Sequence, residues 1–333
     1  MQDFPSQKRV VIIGAGLGGL SAAISLASEG FSVELIEKND KVGGKLNVLS
    51  KDGFTFDLGP SILTMPEIFD ALFTRAGRKR SDYVTFEAVQ PHWRNFFEDG
   101  TVVDLSPDAQ IQKQEFDKLG QNVYGEFIEF MAYAQKLSDE TQAGYFEKGI
   151  DGVWELLKFY GLKRSLHFDI FSTMDQGIRR FVHDPKLTDI LNYFIKYVGA
   201  SPYDAPALMN LLPAIQYQYG LWYVRGGMYA LAQAMEKLAI ELGVTIRVHT
   251  EVESIDHNHH IAKSVKLKNG ETISADIVVS NMEVIPAMKS LLQSTESEIK
   301  KMRRFKPSCS GIVMHLGVDC VYPQLAHHNF FYS

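Results

Sequence analysis

Residues 10–19 read Val10-Val11-Ile12-Ile13-Gly14-Ala15-Gly16-Leu17-Gly18-Gly19. Four apolar residues suited to a buried strand run directly into a glycine-rich turn, and the apolar spacing that follows predicts a helix. Gly14 permits a tight turn, Gly16 lets the backbone approach a pyrophosphate, and Gly19 allows close packing of helix on strand. Because the first N–H groups of such a helix bind phosphate, the stretch predicts a dinucleotide site rather than a simple packing turn.

The residues after this helix agree with that prediction. Gly30 is placed to end the helix in the left-handed conformation, and residues 33–36 predict a second strand. Glu37 follows that strand, eighteen residues after Gly19, at the place where an acid hydrogen-bonds a ribose hydroxyl. Gly43-Gly44-Lys45 comes next, either as part of the cofactor site or as a plain surface turn.

Composition limits the possible classes of protein. The chain has 333 residues, 45% of them hydrophobic, which suffices for one large domain or two entwined ones. The net charge of −6 argues against nucleic acid as a partner. The two cysteines, Cys309 and Cys320, form no CxxC motif and fit reduced, packed thiols of a cytosolic protein. Nothing in the sequence specifies an oligomeric state.

Two segments bear on membrane contact. The basic pair Lys8-Arg9 before the apolar residues 10–27 resembles a signal peptide or a short span, but the glycines there have the spacing of a dinucleotide loop. Residues 154–171 mix apolar and basic side chains, so they either lie on an anionic membrane surface or pack on their own domain. We expect a cytoplasmic protein that associates peripherally with the cytoplasmic membrane.

Strand and helix patterns of a nucleotide-binding kind occur at both ends of the chain, with a helical, aromatic region between them. The predicted fold class is α/β: a doubly wound, Rossmann-like nucleotide-binding domain with an inserted mixed helical and β-sheet substrate domain. The nucleotide-binding domain is expected over residues 1–90 and 220–300, and the substrate domain over residues 91–219 and 301–333. Residues 276–280 predict a buried strand that returns to the nucleotide-binding sheet.

Two longer blocks resemble a known family. They read Phe56-Asp57-Leu58-Gly59-Pro60-Ser61-Ile62-Leu63-Thr64-Met65-Pro66 and Leu221-Trp222-Tyr223-Val224-Arg225-Gly226-Gly227-Met228. Together with the glycine loop they resemble the bacterial carotenoid desaturases and oxidases of the phytoene-desaturase family, which is FAD-dependent and amine-oxidase-like. The Gly43-Gly44 doublet is similar to the extension that such FAD enzymes have after the acid. The resemblance therefore implies FAD as the cofactor.

The same resemblance implies a set of cofactor-binding residues. They are Gly14, Gly16, Gly18, Gly19, Glu37, Lys38, Gly44, Lys45, Gly59, Pro60, Ser61 and Val252. The loop glycines would hold the pyrophosphate, the acid would hold the adenosine ribose, and the Gly-Pro-Ser turn would lie near the flavin ring. Val252 would touch adenine through its backbone, unless it is an ordinary core valine.

The resemblance also implies the substrate, a lipophilic carotenoid. Blocks such as Tyr193-Phe194-Ile195-Lys196-Tyr197-Val198-Gly199 are similar to the branch that oxidises a terminal methyl group of a thirty-carbon carotenoid to an aldehyde. A desaturase that inserts double bonds is the alternative within the family. A non-catalytic FAD- or lipid-binding protein is the alternative from another class.

Candidate substrate residues are aromatic. Phe194, Tyr197, Tyr217, Trp222 and Tyr223 are expected to line an apolar tunnel, or else to pack in the core. No residue is predicted as a catalytic base.

The histidines predict no metal site. Those at 257, 259 and 260 fit a solvated turn between two strands, and His327-His328 either line the site or have a structural role.

Family members continue well past residue 333, to a glycine-rich segment that returns to the flavin. We therefore expect this chain by itself to be catalytically inactive.

Overall fold

The computed structural model describes residues 8–141, 155, 158–161, 169, 171–258, 261–302 and 308–333. They divide into two compact units, each described separately below. The first unit comprises Met1–Glu87 and Trp222–Lys306, and the second comprises Ala88–Leu221 and Pro307–Ser333. Within the described residues, no helix has both the length and the apolar character needed to cross a membrane.

The first unit is built on a four-stranded parallel sheet. Its strands are β1 (Arg9–Ile13), β2 (Ser32–Ile36), β9 (Thr245–Arg247) and β13 (Ile277–Ser280), in the order β13-β1-β2-β9. The three valine and isoleucine residues in the middle of β1 are fully buried, as expected for a parallel strand covered on both faces. The predicted α/β class is confirmed, and the strand predicted to return to the sheet is β13. The prediction that this strand is buried is wrong, because β13 lies at the edge of the sheet and its residues are half-buried or exposed.

Two helices cover one face of this sheet. Helix α1 (Leu17–Ser28) packs against α8 (Tyr229–Glu241), and both bury apolar side chains in one cluster with β1 and β2. Helix α1 ends as predicted, since Gly30 has a φ of +87°, a conformation that residues with a Cβ rarely adopt.

The other face differs from the helix-covered arrangement of an ordinary doubly wound sheet. An antiparallel sheet of β10 (Val252–Asn258), β11 (Ile261–Leu267) and β12 (Thr272–Ser274) packs there together with helix α9 (Val284–Ser290). This arrangement brings the start of β10 beside the end of β2, because Val252 and Ile36 belong to the same buried cluster.

The remaining elements of the first unit are short. They are the antiparallel pair β3 (Asn47–Lys51) and β4 (Phe54–Leu58), helix α2 (Pro66–Arg75), the pair β5 (Phe86–Ala88) and β8 (Trp222–Val224), the 3₁₀ turn Arg80–Asp82 and helix α10 (Glu296–Met302).

The second unit combines a small sheet with helices. A hairpin is formed by β6 (Trp93–Phe97) and β7 (Val102–Leu105), and β14 (Asn329–Tyr332) adds to β6 in parallel. The helices are α3 (Ala109–Asp117), α4 (Val123–Thr141), α5 (Met174–Ile178), α6 (Pro185–Asn192) and α7 (Leu211–Tyr219), with 3₁₀ turns at Tyr193–Tyr197 and Ala207–Asn210. Several helices start at a side-chain cap; Asp108, for example, accepts hydrogen bonds from Gln110 and Ile111.

The prediction of packed thiols is wrong. Cys309 and Cys320 are free and exposed. Residues 308–318 form neither helix nor strand, and their apolar side chains are exposed as well. This segment pairs with no strand among the described residues, so no sheet covers its side chains there.

His92 lies in the buried interior of the second unit. Its side chain is 2% exposed, its Nδ1 lies 3.3 Å from Nε2 of Gln216, and its ring meets the edge of Tyr217. Burial disfavours the imidazolium and lowers the pKa of His92 to about 4.

This burial predicts a pH-dependent stability. Between pH 6.5 and 4 the unfolded chain binds a proton at His92 and the folded chain does not, so the free energy of unfolding should fall by up to about 3 kcal/mol as the pH drops through that range. Urea unfolding at a series of pH values measures this fall in the free energy of unfolding. His92→Gln should flatten this part of the profile, whereas His257→Gln, at an exposed strand position, should leave the profile unchanged. An identical slope in wild type and His92→Gln would contradict the prediction.

Candidate functional site

The first unit contains a cavity of about 660 Å³ at the carboxyl ends of its parallel strands. It is bordered by the loop after β1, by the ends of β2 and β13, and by the start of β10. Strand β1 has β2 on one side and β13 on the other, and open α/β sheets bind ligands at such a reversal of strand order. The volume is in the range of small-molecule sites, about 300–1,000 Å³.

The glycine loop and the start of α1 border this cavity. Gly14 turns with a φ of +95° and donates its N–H to the carbonyl of Ile36 at 2.8 Å. Gly16, which lines the cavity, is the N-cap residue of α1, and no side chain caps the helix. The first N–H groups of α1 therefore lack the usual capping acceptor, and an anionic group such as a pyrophosphate fits that need.

Close backbone contacts explain why the loop needs glycine. A Cβ at Gly19 would lie 2.0 Å from the carbonyl oxygen of Gly14. Gly43 donates its N–H to the carbonyl of Ala15 at 2.8 Å, and a Cβ at Gly44 would lie 3.1 Å from Cα of Gly16. The Gly43-Gly44 doublet thus contacts the glycine loop directly, and a plain surface turn would not make these contacts.

Glu37 connects the end of β2 to the loop. One carboxylate oxygen accepts the N–H of Ala15 at 2.8 Å, and the other accepts the backbone N–H of Asn39 at 2.9 Å and its side-chain amide at 2.7 Å. The side chain is 5% exposed and borders the cavity. A carboxylate oxygen can accept more than one hydrogen bond, so the acid still has an acceptor position for a ribose hydroxyl.

Eight of the twelve predicted cofactor residues border this cavity. They are Gly14, Gly16, Glu37, Lys38, Gly44, Lys45, Pro60 and Val252. The other four, Gly18, Gly19, Gly59 and Ser61, are not among the lining residues. The positions of Gly19 and Gly59 have a steric explanation instead, since a Cβ at Gly59 would lie 2.1 Å from the carbonyl oxygen of Lys45.

The sequence prediction missed the segment after β13. Asn281 donates its backbone N–H to the carbonyl of Ile13, and its side chain lies against the glycine loop, where a Cβ at Gly18 would be 2.6 Å from its Oδ1. Glu283 forms an exposed ion pair with Lys45 at 3.5 Å. The sequence could have indicated this segment, because residues 276–280 were predicted to join the same sheet as β1. Residues that follow a parallel strand next to β1 reach the same edge of the sheet as the glycine loop.

The five predicted tunnel residues are divided between the two units. In the second unit, Phe194 is fully buried against Trp93, while the hydroxyls of Tyr197 and Tyr217 donate to Gln216 and Gln112 at 2.7 Å. Phe194 therefore fits the core-packing alternative.

The other two tunnel residues are neighbours on β8 of the first unit. Trp222 exchanges backbone hydrogen bonds with Leu63. The hydroxyl of Tyr223 donates to Asp57 at 2.5 Å, and the same carboxylate accepts the backbone N–H of Met228. Burial and the Asp57 carboxylate raise the pKa of Tyr223 to about 12, so its hydroxyl remains protonated.

Two other predictions concern regions that the structure describes only in part. Among the described residues, no group of three or more His, Cys, Asp or Glu side chains could hold a metal ion, and residues 259 and 260 lie outside them. The segment 154–171, predicted to lie on a lipid surface, also falls mostly outside the described residues.

Comparison with known proteins decides the family. Residues 17–320 match the flavin containing amine oxidoreductases. The chain belongs to this family. The family confirms the expected amine-oxidase-like fold and FAD as the predicted cofactor, and the uncapped helix, the glycine loop and Glu37 fit such a dinucleotide.

The chain is also similar to individual proteins over nearly its whole length. The chain is 70% identical over 98% of its length to a 4,4'-diapolycopene oxygenase from Methylomonas sp, and 50% identical over 98% to a 4,4'-diaponeurosporene oxygenase from Staphylococcus haemolyticus. It spans 66% of the length of each relative. A solved structure of putrescine oxidase, 17% identical, matches 90% of this chain and 63% of that one with a TM-score of 0.62, which supports the fold.

Proposed function

We propose that the protein is an FAD-dependent oxidase of carotenoids, which converts a terminal methyl group of a thirty-carbon carotenoid to an aldehyde. The observation that supports this most is the 70% identity to a 4,4'-diapolycopene oxygenase over nearly the whole chain. The dinucleotide cavity of the first unit agrees with it, because the uncapped helix start, the glycine loop and a buried acid all border it.

The residues of the first unit have separable tasks in this proposal. The N–H groups at the start of α1 bind the pyrophosphate, Glu37 accepts a ribose hydroxyl, and Val252 borders the cavity on the side expected for adenine. FAD, when bound, supplies the electron acceptor that no side chain can provide. Asp57 holds Met228 and Tyr223 beside the turn that leads into α8.

The proposed substrate must be bound by other interactions than those that bind the cofactor. A carotenoid hydrocarbon has no hydrogen-bonding group, so it must be bound by apolar surface and held by shape. The reaction removes two hydrogens from the terminal carbon and adds one oxygen. A protein that catalyses it therefore needs a dry, apolar environment around that carbon.

Pigment analysis tests the proposal. The gene that encodes this sequence, at its natural length, is expressed in a host that makes thirty-carbon carotenoids, and the pigments are analysed by mass spectrometry. We expect a product that has gained one oxygen and lost two hydrogens per oxidised end. Products that have only lost pairs of hydrogens would identify a desaturase, and unchanged pigments beside a flavin-loaded protein would favour a carrier; either result would refute the proposal.

We also propose that the protein works in the cytoplasm at the membrane surface, because its lipophilic substrate dissolves in the bilayer. Flotation with anionic liposomes tests this association. Protein that stays at the bottom of the gradient in the presence of carotenoid-loaded vesicles would contradict it.

A further inference from the structure

Asn39 contributes two of the three hydrogen bonds that the Glu37 carboxylate accepts within the described part of the chain. Its backbone N–H and its side-chain amide both donate to one oxygen, Oε1, at 2.9 and 2.7 Å. The other oxygen, Oε2, accepts the N–H of Ala15 at 2.8 Å. An ionised carboxylate has about four acceptor positions, two on each oxygen. Asn39 therefore fills both positions of Oε1, and the position left open lies on Oε2.

The donors that surround this carboxylate are neutral. Among the described residues, they are two backbone N–H groups and one side-chain amide. Such donors fix the direction of a carboxylate and leave its full negative charge available to a further donor, such as a hydroxyl. Because Glu37 is buried, water does not freely replace a donor that is lost. The side-chain amide of Asn39 is thus suited to hold the carboxylate in one orientation.

The backbone of Asn39 is itself held by the loop that precedes β10. The Asn39 carbonyl accepts the N–H of His249 at 2.8 Å, and the Glu37 carbonyl accepts the N–H of Thr250 at 2.8 Å. His249 has a φ of +49°, in the left-handed region that residues with a Cβ rarely adopt. Asn39 and Thr250 both border the cavity. These backbone hydrogen bonds fix the point from which the Asn39 amide reaches Glu37.

We propose that Asn39 is a positioning residue for the cofactor, whose side-chain amide orients the Glu37 carboxylate so that Oε2 accepts a hydroxyl of the adenosine ribose. This inference rests on the proposed function, which requires FAD in the cavity of the first unit. Asn39 acts through Glu37, so its substitution should change the affinity only for nucleotides that carry ribose hydroxyls.

Nucleotide titration tests the proposal without flavin or turnover. The natural-length protein, freed of flavin, is titrated calorimetrically with ADP and with 2′,3′-dideoxy-ADP, which lacks both ribose hydroxyls. We expect Asn39→Ala to weaken ADP binding about tenfold, because the carboxylate loses a charge-assisted hydrogen bond and its fixed orientation. Binding of the dideoxy nucleotide should be unchanged. Asn39 is exposed, so the substitution removes no core packing.

Further variants separate positioning from a structural role. Asn39→Asp keeps the size and turn preference of asparagine, but its carboxylate cannot donate, so ADP binding should weaken at least as much as in Asn39→Ala. In the Glu37→Ala background the carboxylate is absent, and Asn39→Ala should have no further effect. Asn47 is a matched control, since it also makes a local hydrogen bond in the first unit but does not border the cavity. Asn47→Ala should leave both affinities unchanged.

Three results would overturn the proposal. They are an unchanged ADP affinity of Asn39→Ala, equal losses for ADP and the dideoxy nucleotide, and the same loss in the wild-type and Glu37→Ala backgrounds. Wild-type protein that binds neither nucleotide would refute both the cofactor site and the role of Asn39. Unchanged pigments in cells, together with the expected nucleotide affinities, would count against the oxidase function and not against Asn39.

Discussion

Gly19→Ala should weaken FAD binding by about a hundredfold, the equivalent of about 3 kcal/mol. The new Cβ would lie 2.0 Å from the carbonyl oxygen of Gly14, which is backbone and cannot rotate away. Either α1 moves away from β1 or the loop deforms, and in both cases the N–H groups that we propose bind the pyrophosphate lose their positions. Fluorescence titration of the flavin-free protein with FAD measures the change.

The neighbouring glycine supplies a matched control for this result. The three atoms nearest to a Cβ at Gly18 would all belong to the side-chain amide of Asn281, the nearest being its Oδ1 at 2.6 Å. We expect Gly18→Ala to weaken FAD binding less than Gly19→Ala does, and the double change with Asn281→Ala to restore it. The same second substitution should not rescue Gly19→Ala. Equal losses for the two glycines, or equal rescue, would contradict the steric explanation.

Glu37→Gln should lower both the stability of the first unit and its affinity for adenosine-containing ligands. The carboxylate accepts N–H groups from Ala15 and Asn39 at both oxygens, and an amide offers one acceptor oxygen and one donor nitrogen. In either orientation of the new side-chain amide, its NH₂ group faces a buried backbone N–H, so two donors meet and no hydrogen bond forms. We therefore expect a loss of about 1–3 kcal/mol in unfolding free energy. Affinity for adenosine-containing ligands should fall as well, since the ribose loses its acceptor.

Glu34 on the same strand provides a control that separates the loss of unfolding free energy from the loss of ligand affinity. It is also buried and pairs with Arg9 at 2.6 Å and with Arg247 at 3.3 Å, but it does not border the cavity. Glu34→Gln should lower the unfolding free energy and leave ligand affinity unchanged. If Glu37→Gln behaved in the same way, Glu37 would be a structural acid and its assignment to the ribose would be wrong.

The parts of the fold that the sequence predicted are those with strong local signals. Strand β1, the glycine loop and α1 follow from one run of residues, and β2 (Ser32–Ile36) was predicted over residues 33–36. Alternation of apolar residues and turn glycines predicts such elements because both depend on chain positions only a few residues apart.

The parts that the sequence could not predict depend on contacts between distant residues. Asn281 lies against a glycine loop near the start of the chain, and the Asp57 carboxylate holds Tyr223 and Met228 from the later part of the first unit. Periodicity does not encode such pairings. The same limit applies to the aromatic residues of the second unit, since a spacing typical of helix faces does not distinguish a buried ring such as Phe194 from one that borders a ligand.

Calorimetric titration of the flavin-free protein with ADP, FAD and FMN tests whether the cavity of the first unit recognises a dinucleotide. We propose that the loop after β1, the start of α1 and Glu37, which border the cavity, bind the adenosine pyrophosphate half of the cofactor. We predict that ADP binds, that ADP competes with FAD, and that Glu37→Gln weakens both by the same factor while FMN competes poorly. If FMN competes with FAD as well as ADP does, the cavity of the first unit does not recognise the dinucleotide through these residues, and the account is wrong.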